Sequence, residues 1–376
     1  MDKQWIPAAG YLTIFLLPLL LLLGALFREP WLAFGVVILV FPLARVVFGA
    51  TPATGVPEWR ERIATLLHYV PLAFACTLPA CVLAALILTA QLHPGANSAM
   101  LGFGLSLWMT LLFGTCVAHE LIHRRDNGHA LVGSMLAGFC GYPVLVGEHL
   151  AHHARPGATQ MAEYPRKDES VWTFAGRRMK RIAVEQFGPG APTWRPVTQS
   201  LTAMPTRVAL LTTALTWIGF TVIAGALGMS LYLAAMLGVA FGVQLITYIQ
   251  HWGLGEDSIP DRIAYGRGWE DDCQFQAWVT LGLSLHDQHH RDSRRPFYRM
   301  EPSPDSPRLP AGYVLLMFAS LVPSVWRRVM ATSHQYWLSS PTSPISAGHR
   351  LTCFGLREPP RVRIVVASID QPRGRR

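Results

Sequence analysis

Nine of the fourteen histidines fall into four tight groups. They are His119 and His123 in HELIH, His149, His152 and His153 in EHLAHH, His251 in QHWGL, and His286, His289 and His290 in HDQHH. On a helix, residues three and four apart share a face, so each triplet can direct two or three imidazoles toward one point. Nine imidazoles exceed what one tetrahedral zinc needs and suit two metal ions with four or five nitrogen ligands each. Imidazole accepts iron, zinc, copper and nickel alike, so donor softness leaves the metal open. A single histidine is ordinarily a hydrogen-bonded structural residue. Three clustered motifs and a fourth histidine beside apolar segments are not explained that way, because unpaired rings at membrane depth are expensive. HELIH also fits the zinc-protease pattern H-E-x-x-H letter for letter, but that chemistry leaves the other seven clustered histidines without a task. His68, His93, His129, His334 and His349 stand alone; His129 is the one near a motif.

The groups must be held by membrane helices. The 376 residues are 51% hydrophobic and 15% charged, and six stretches approach the roughly 20 apolar residues a bilayer crossing needs. These are Gly10 to Phe27, Trp31 to Ala50, Thr65 to Leu92, Ala99 to Ala118, Arg207 to Leu227 and Ser230 to Gln250. The expected fold is all-α, an integral-membrane bundle of about six helices with a histidine-rich di-metal cap on the cytoplasmic side. Arg60, Arg62, Arg124, Arg125, Arg166, Lys167, Arg177, Arg178, Lys180 and Arg181 fall in one set of loops, which places both termini and the histidines in the cytoplasm by the positive-inside rule. That rule accounts for the net charge of +9 and removes the need for a nucleic-acid partner. The N-terminus lacks the basic region and cleavage site of a signal peptide. Six cysteines form no C-x-x-C pair, which argues against disulfides, a zinc ribbon or a fused iron–sulfur domain.

Ala130 to Val146 is the critical segment. If it crossed the bilayer, His149 would be stranded on the far side. It is short and interrupted by Gly133, Gly138, Gly141 and Pro143, so a re-entrant or interfacial course is expected, and the same holds for Ala311 to Pro323. Residues 1–337 make up the membrane domain. Residues 338–376 are rich in Ser, Pro, Gly and Arg and are expected to form a poorly ordered cytoplasmic tail, with Arg361 to Ser368 able to form at most one strand.

HELIHRRD, EHLAHH, YIQHWGL and LHDQHH resemble the four histidine motifs of the integral-membrane alkane 1-monooxygenases, a group that includes the xylene monooxygenase hydroxylase subunit and, more distantly, membrane fatty-acid desaturases. ESVW (Glu169, Ser170, Trp172), GRGWE (Gly266, Arg267, Glu270), Arg294, Arg295 and the run Pro310 to Met330 also resemble family landmarks. The resemblance covers about residues 10 to 337. It implies two non-haem iron ions held by the nine clustered histidines and O2-dependent hydroxylation of an unactivated C–H bond. It also implies electrons from a rubredoxin or ferredoxin and its NAD(P)H-dependent reductase. Three departures stand out: the second motif is H-x-x-H-H, one residue shorter than usual; Gln250 replaces a frequent Glu; and Trp252 replaces Tyr. These leave room for an alkyl-aromatic methyl beside a terminal alkane methyl. A desaturase or decarboxylase on the same metals, or a non-enzymatic membrane metal-binding or transport protein, are the competing readings.

Metal-bound histidines usually give their second N–H to a carboxylate. Glu120, Glu148 and Glu270 are the expected partners in catalysis, together with Asp287, with Asp257 and Asp271 behind them. The apolar substrate should arrive from lipid through a slot lined by residues such as Trp108, Leu112, Phe139, Phe241 and Leu245. Arg177 to Arg181 could dock an acidic electron-transfer protein or lie on the anionic membrane surface.

Overall fold

The computed structural model describes residues 4–50, 58–92, 97–194, 203–257, 267–303 and 306–339. His93, His349, the 340–376 tail with its possible strand, and Gly266 lie outside these residues. Among the described residues the protein is all-helical, with isolated bridges but no strand.

Helix α1 (Trp5–Leu26) and α2 (Leu32–Phe48) form the first hairpin. Its turn is tight: the Glu29 amide donates to Gly24 O at 2.7 Å, and Arg28 takes a positive φ of 61°. α3 (Glu61–Leu92) carries Pro71 and Pro79 inside the helix, each of which removes a backbone donor and bends the axis. α4 (Asn97–Ile122) is the most enclosed of the long helices and delivers His119 from its last turn.

The 48-residue run α8 (Met204–His251) would extend about 72 Å if straight, more than twice a bilayer core. It does not. Ala224 and Gly225 leave helical geometry, with Gly225 at φ 59°, a left-handed value that glycine adopts without strain. Two contacts show the chain folding back there. The Phe220 and Tyr232 rings lie 5.0 Å apart, and Thr213 and Tyr232 both donate to Gly138 O, at 2.9 and 3.0 Å. The expected fifth and sixth spans are thus the two arms of one helical hairpin. Among the described residues, four helices are long and apolar enough to cross a membrane, α1, α3, α4 and α8, and α2 is a shorter apolar helix.

The critical segment forms α5 (Asn127–Phe139), of 13 residues. Asp126 caps its N-terminus by accepting from the His129 amide at 2.9 Å. At about 20 Å it is shorter than the hydrocarbon core. It packs against α4 and α8, where Gly138 lies so close to Ala209 that an added Cβ would stand 2.2 Å from the Ala209 carbonyl oxygen. The chain then turns and returns as α6 (Leu145–Ala154). α7 (Val171–Phe187) packs on α8. The short helices α9 (Gln274–Val279), α10 (His286–Arg291) and α11 (Tyr313–Leu321), followed by α12 (Pro323–Ser339), close the same end of the bundle.

Candidate metal centre

The nine clustered histidines gather into two groups. The first holds His119, His123, His149, His153 and His289; the second holds His152, His251, His286 and His290. Each triplet divides between the groups instead of converging on one point. The helix explains this. Residues i and i+4 are about 40° apart around the axis, while i+3 lies about 60° to the other side of i. Thus α6 gives His149 and His153 to one group and His152 to the other, and α10 gives His286 and His290 to one and His289 to the other.

The ring contacts fit a shared cation. His149 Nε2 meets the Nε2 atoms of His119, His123 and His153 at 2.8, 2.7 and 2.8 Å, and His153 meets His289 at 3.0 Å. One ring nitrogen carries either one proton or one lone pair, so it cannot satisfy three partners by hydrogen bonding. In the second group the contacts close a ring: His152 to His251 3.0 Å, His251 to His286 2.8 Å, His286 to His290 3.0 Å and His290 to His152 3.2 Å. A regular four-cornered ring of that edge has its centre about 2.1 Å from each corner, the length of a metal–imidazole bond.

Burial keeps the rings in the neutral, ligating form. It holds His149, His152, His286, His289 and His290 well below the usual imidazole range, with the neighbouring rings adding to the effect. The same causes take His123 to about 3, and burial takes His153 to about 4. His123, His153 and His290 are partly exposed, and the other six rings are buried.

The second nitrogens of two rings face groups other than the expected carboxylates. His251 Nδ1 faces Arg267 O at 2.9 Å, and His152 Nδ1 faces the Glu163 carboxylate at 3.6 Å. Glu163 was missed by sequence reasoning because no spacing ties it to a motif; it is held by Arg178 at 2.6 Å and Arg155 at 3.2 Å. Glu120 pairs with Arg124 at 2.7 Å and accepts from the Phe297 amide at 3.5 Å. Glu148 lines the chamber between the histidines, accepts from the Tyr142 hydroxyl at 2.6 Å, and is pushed upward in pKa by burial. Glu270 accepts from the Gln288 and Ser303 amides at 3.0 and 3.1 Å and pairs with Arg308; burial takes its pKa to about 7. Asp287 receives Arg291 at 2.9 Å and the Ser306 hydroxyl. Asp271 pairs with buried Arg45, and Asp257 lies on an exposed loop. Glu120, Glu270 and Asp287 thus brace the elements that carry the rings.

His129 joins neither group; its ring packs on His68 at 5.0 Å and pairs with Asp126. His334 faces Gly253 O at 3.1 Å. The basic stretch 177–181 is largely engaged. Arg177 holds Glu169 and the carbonyls of Thr159 and Tyr164, Arg178 is buried on Glu163, and Arg181 holds Glu185. Only Lys180 is both exposed and basic there.

Beside the histidine chamber lies an apolar cavity with about 870 Å3 of empty space, mouth included. Trp108, Leu112, Phe241 and Leu245 line it as expected, whereas Phe139 packs in the main core. Half-exposed Phe318 and the partly exposed Phe34 and Ile38 are among its lining residues. Cys116, Ile246, Gln250 and Leu283 line both the cavity and the chamber, so the two share one wall.

Residues 96–302 match the family model described as fatty acid desaturase. Alkane 1-monooxygenase 1 of Pseudomonas aeruginosa is 29% identical over 79% of this chain and 82% of its own length. Alkane 1-monooxygenase of Ectopseudomonas oleovorans is 25% identical over 79% and 77%. The xylene/toluene monooxygenase hydroxylase component of Pseudomonas putida is 25% identical over 60% and 61%. Long apolar helices, two histidine groups beside an apolar cavity and these relatives agree: the chain belongs to the fatty acid desaturase family and is an integral-membrane oxidoreductase of the oxygenase type.

Proposed function

We propose that the protein is a di-iron hydroxylase of hydrocarbons, with one iron on His119, His123, His149, His153 and His289 and the other on His152, His251, His286 and His290. The observation that carries this reading is the wall shared by the histidine chamber and the apolar cavity, which brings a C–H bond from lipid to the rings. When bound, the iron pair supplies the activation of O2 needed to attack an unactivated C–H bond. The chain's own residues do the rest. Aromatic and aliphatic walls take the substrate and exclude water. Neutral imidazoles present lone pairs, and the surrounding carboxylates and arginines fix the short ligand-bearing helices. The substrate is an alkane or an alkyl-aromatic whose methyl reaches the shared wall.

The reaction consumes O2, two electrons and two protons and yields an alcohol and water. The electrons come from a rubredoxin or ferredoxin and its NAD(P)H-dependent reductase. The docking face is the partly exposed edge formed by His123, His153 and His290, flanked by exposed Arg125 and Arg294. That face replaces the 177–181 stretch, whose arginines are already engaged. Residues 1–337 act as one unit, with the metal centre and termini cytoplasmic. Metal analysis of the purified protein, with gas chromatography of cells given n-octane, p-xylene or a fatty acid, tests the reading. Two irons and an alcohol product support it; one zinc and no iron would sink it; an unsaturated product would favour the desaturase reading.

A further inference from the structure

The wall between cavity and chamber is made by Cys116 of α4, Ile246 and Gln250 of α8, and Leu283 ahead of α10. Cys116 is three residues before His119, Gln250 is next to His251, and Leu283 is three residues before His286. The inner end of the cavity therefore lies within one helical turn of both histidine groups. Across that end runs a hydrogen-bonded bar. Gln250 Nε2 donates to the Tyr313 hydroxyl oxygen at 3.1 Å and to Leu283 O at 3.3 Å. Gln250 is 4% exposed and Tyr313 6%. The bar ties α8 to the start of α11 and to the segment that leads into α10.

We propose that the Gln250–Tyr313 bar is the stop that limits how far a hydrocarbon enters, and so decides which carbon is presented to the metal centre. The inference rests on the hydroxylase reading above for its product consequence. The physical argument is one of mismatch. A hydrocarbon has no group with which to replace the amide-to-hydroxyl bond. Parting Gln250 from Tyr313 would bury the hydroxyl and one amide N–H without the bond they share, while the other amide N–H keeps Leu283 O, and the penalty exceeds what burying one more methylene returns. An apolar chain therefore halts at the bar, although the histidine chamber continues on the far side of the shared wall. Tyr313 and Gln250 act as specificity-determining residues; neither needs to touch metal.

Two readouts test this. In n-octane turnover, Tyr313→Ala and Gln250→Ala should raise the ratio of 2-octanol to 1-octanol several-fold, at wild-type metal content. Tyr313→Phe, which keeps the ring and frees only the amide, should give a smaller rise. In the second readout, thermal stabilisation of the purified holoprotein is measured with n-alkanes of increasing length. The wild type should reach a plateau at one chain length, and Tyr313→Ala should move the plateau to longer chains. An unchanged alcohol ratio and an unchanged plateau in metal-replete variants would overturn the proposal. Should Tyr313→Ala fail to fold, Tyr313→Phe and Gln250→Asn decide between the same outcomes. A wild type that makes no alcohol would remove the hydroxylase reading, while the plateau would still decide whether the bar is a stop.

Discussion

Glu163 Oε2 lies 3.6 Å from His152 Nδ1, on the side of the ring opposite the nitrogen that faces His251 and His290. The two residues come from different elements, and Arg178 and Arg155 hold the carboxylate in place. At 3.6 Å the pair is longer than a hydrogen bond, but the carboxylate is placed on the side from which, on closing to bonding distance, it would fix ring orientation and raise the basicity of a metal ligand. Glu163→Ala should weaken metal binding at the four-histidine group by about 10- to 100-fold, and Glu163→Gln by less. Metal content after dialysis against graded chelator checks this; equal retention in Glu163→Ala and wild type would show that His152 needs no such support.

The position of Glu163 marks the limit of what the sequence disclosed. Helical spacing made the histidine groups legible, because i, i+3 and i+4 are fixed by the helix itself. The same rule, followed one step further, divides each triplet between two groups. Glycines at 225 and 228 marked the reversal in α8, and the short, interrupted 130–146 stretch showed why α5 does not extend far enough to cross. What was not legible depends on tertiary contact. Glu120, Glu148 and Glu270 are next to ligands or within a motif in sequence, yet they brace Arg124, Tyr142 and Arg308. Arg178 reads as a surface charge but is buried on Glu163. Phe139 has the character of slot lining but faces the core.

The division into two groups predicts two separable losses. His119→Ala or His289→Ala should lower metal content from two ions to one, and so should His251→Ala or His286→Ala, with turnover lost in all four. A double variant across the groups should lose both ions. Elemental analysis of purified variants reads this out. Loss of both ions from every single variant would mean that the nine rings form one indivisible site.

Glu270 holds the segment that carries three ligands. Its carboxylate takes the Gln288 amide in the first turn of α10, the Ser303 amide, and Arg308. A six-residue helix has little stability of its own. Glu270→Ala leaves two buried amides and a charge unpaired, at about 1–3 kcal/mol for each group, so the holoprotein should lose about 3 kcal/mol or more and release metal from both groups. Glu270→Gln keeps the shape and should lose less. Thermal unfolding in detergent, followed with metal content, measures the effect. A melting temperature within a degree of wild type in Glu270→Ala would contradict the bracing role.

Charge reversal distinguishes the two candidate docking faces. Arg294 is exposed and its charge acts on His123, whereas Lys180 is exposed on α7. Arg294→Glu should slow reduction by an acidic donor about tenfold or more at low salt, with the difference narrowing as salt screens the surface. Lys180→Glu should leave the rate unchanged. Rates against donor concentration at two ionic strengths measure this. The reverse ranking would return the docking face to α7.

The short α5 sets the final prediction, because the whole metal centre depends on the direction in which the chain leaves it. α4 ends at Ile122, α5 runs only 13 residues, and α6 returns His149 to within 2.8 Å of His119. Arg125 before α5 and Ala154 at the end of α6 are both exposed. Single cysteines placed at these positions in a cysteine-free background should react with a membrane-impermeant maleimide from one side of sealed vesicles, the cytoplasmic side. Gly138→Val should loosen α5 from α8, since the added side chain meets the Ala209 backbone, and should lower metal content without changing that sidedness. Labelling of Arg125→Cys and Ala154→Cys from opposite faces would place a membrane between His123 and His149, and a shared metal between them would then be impossible.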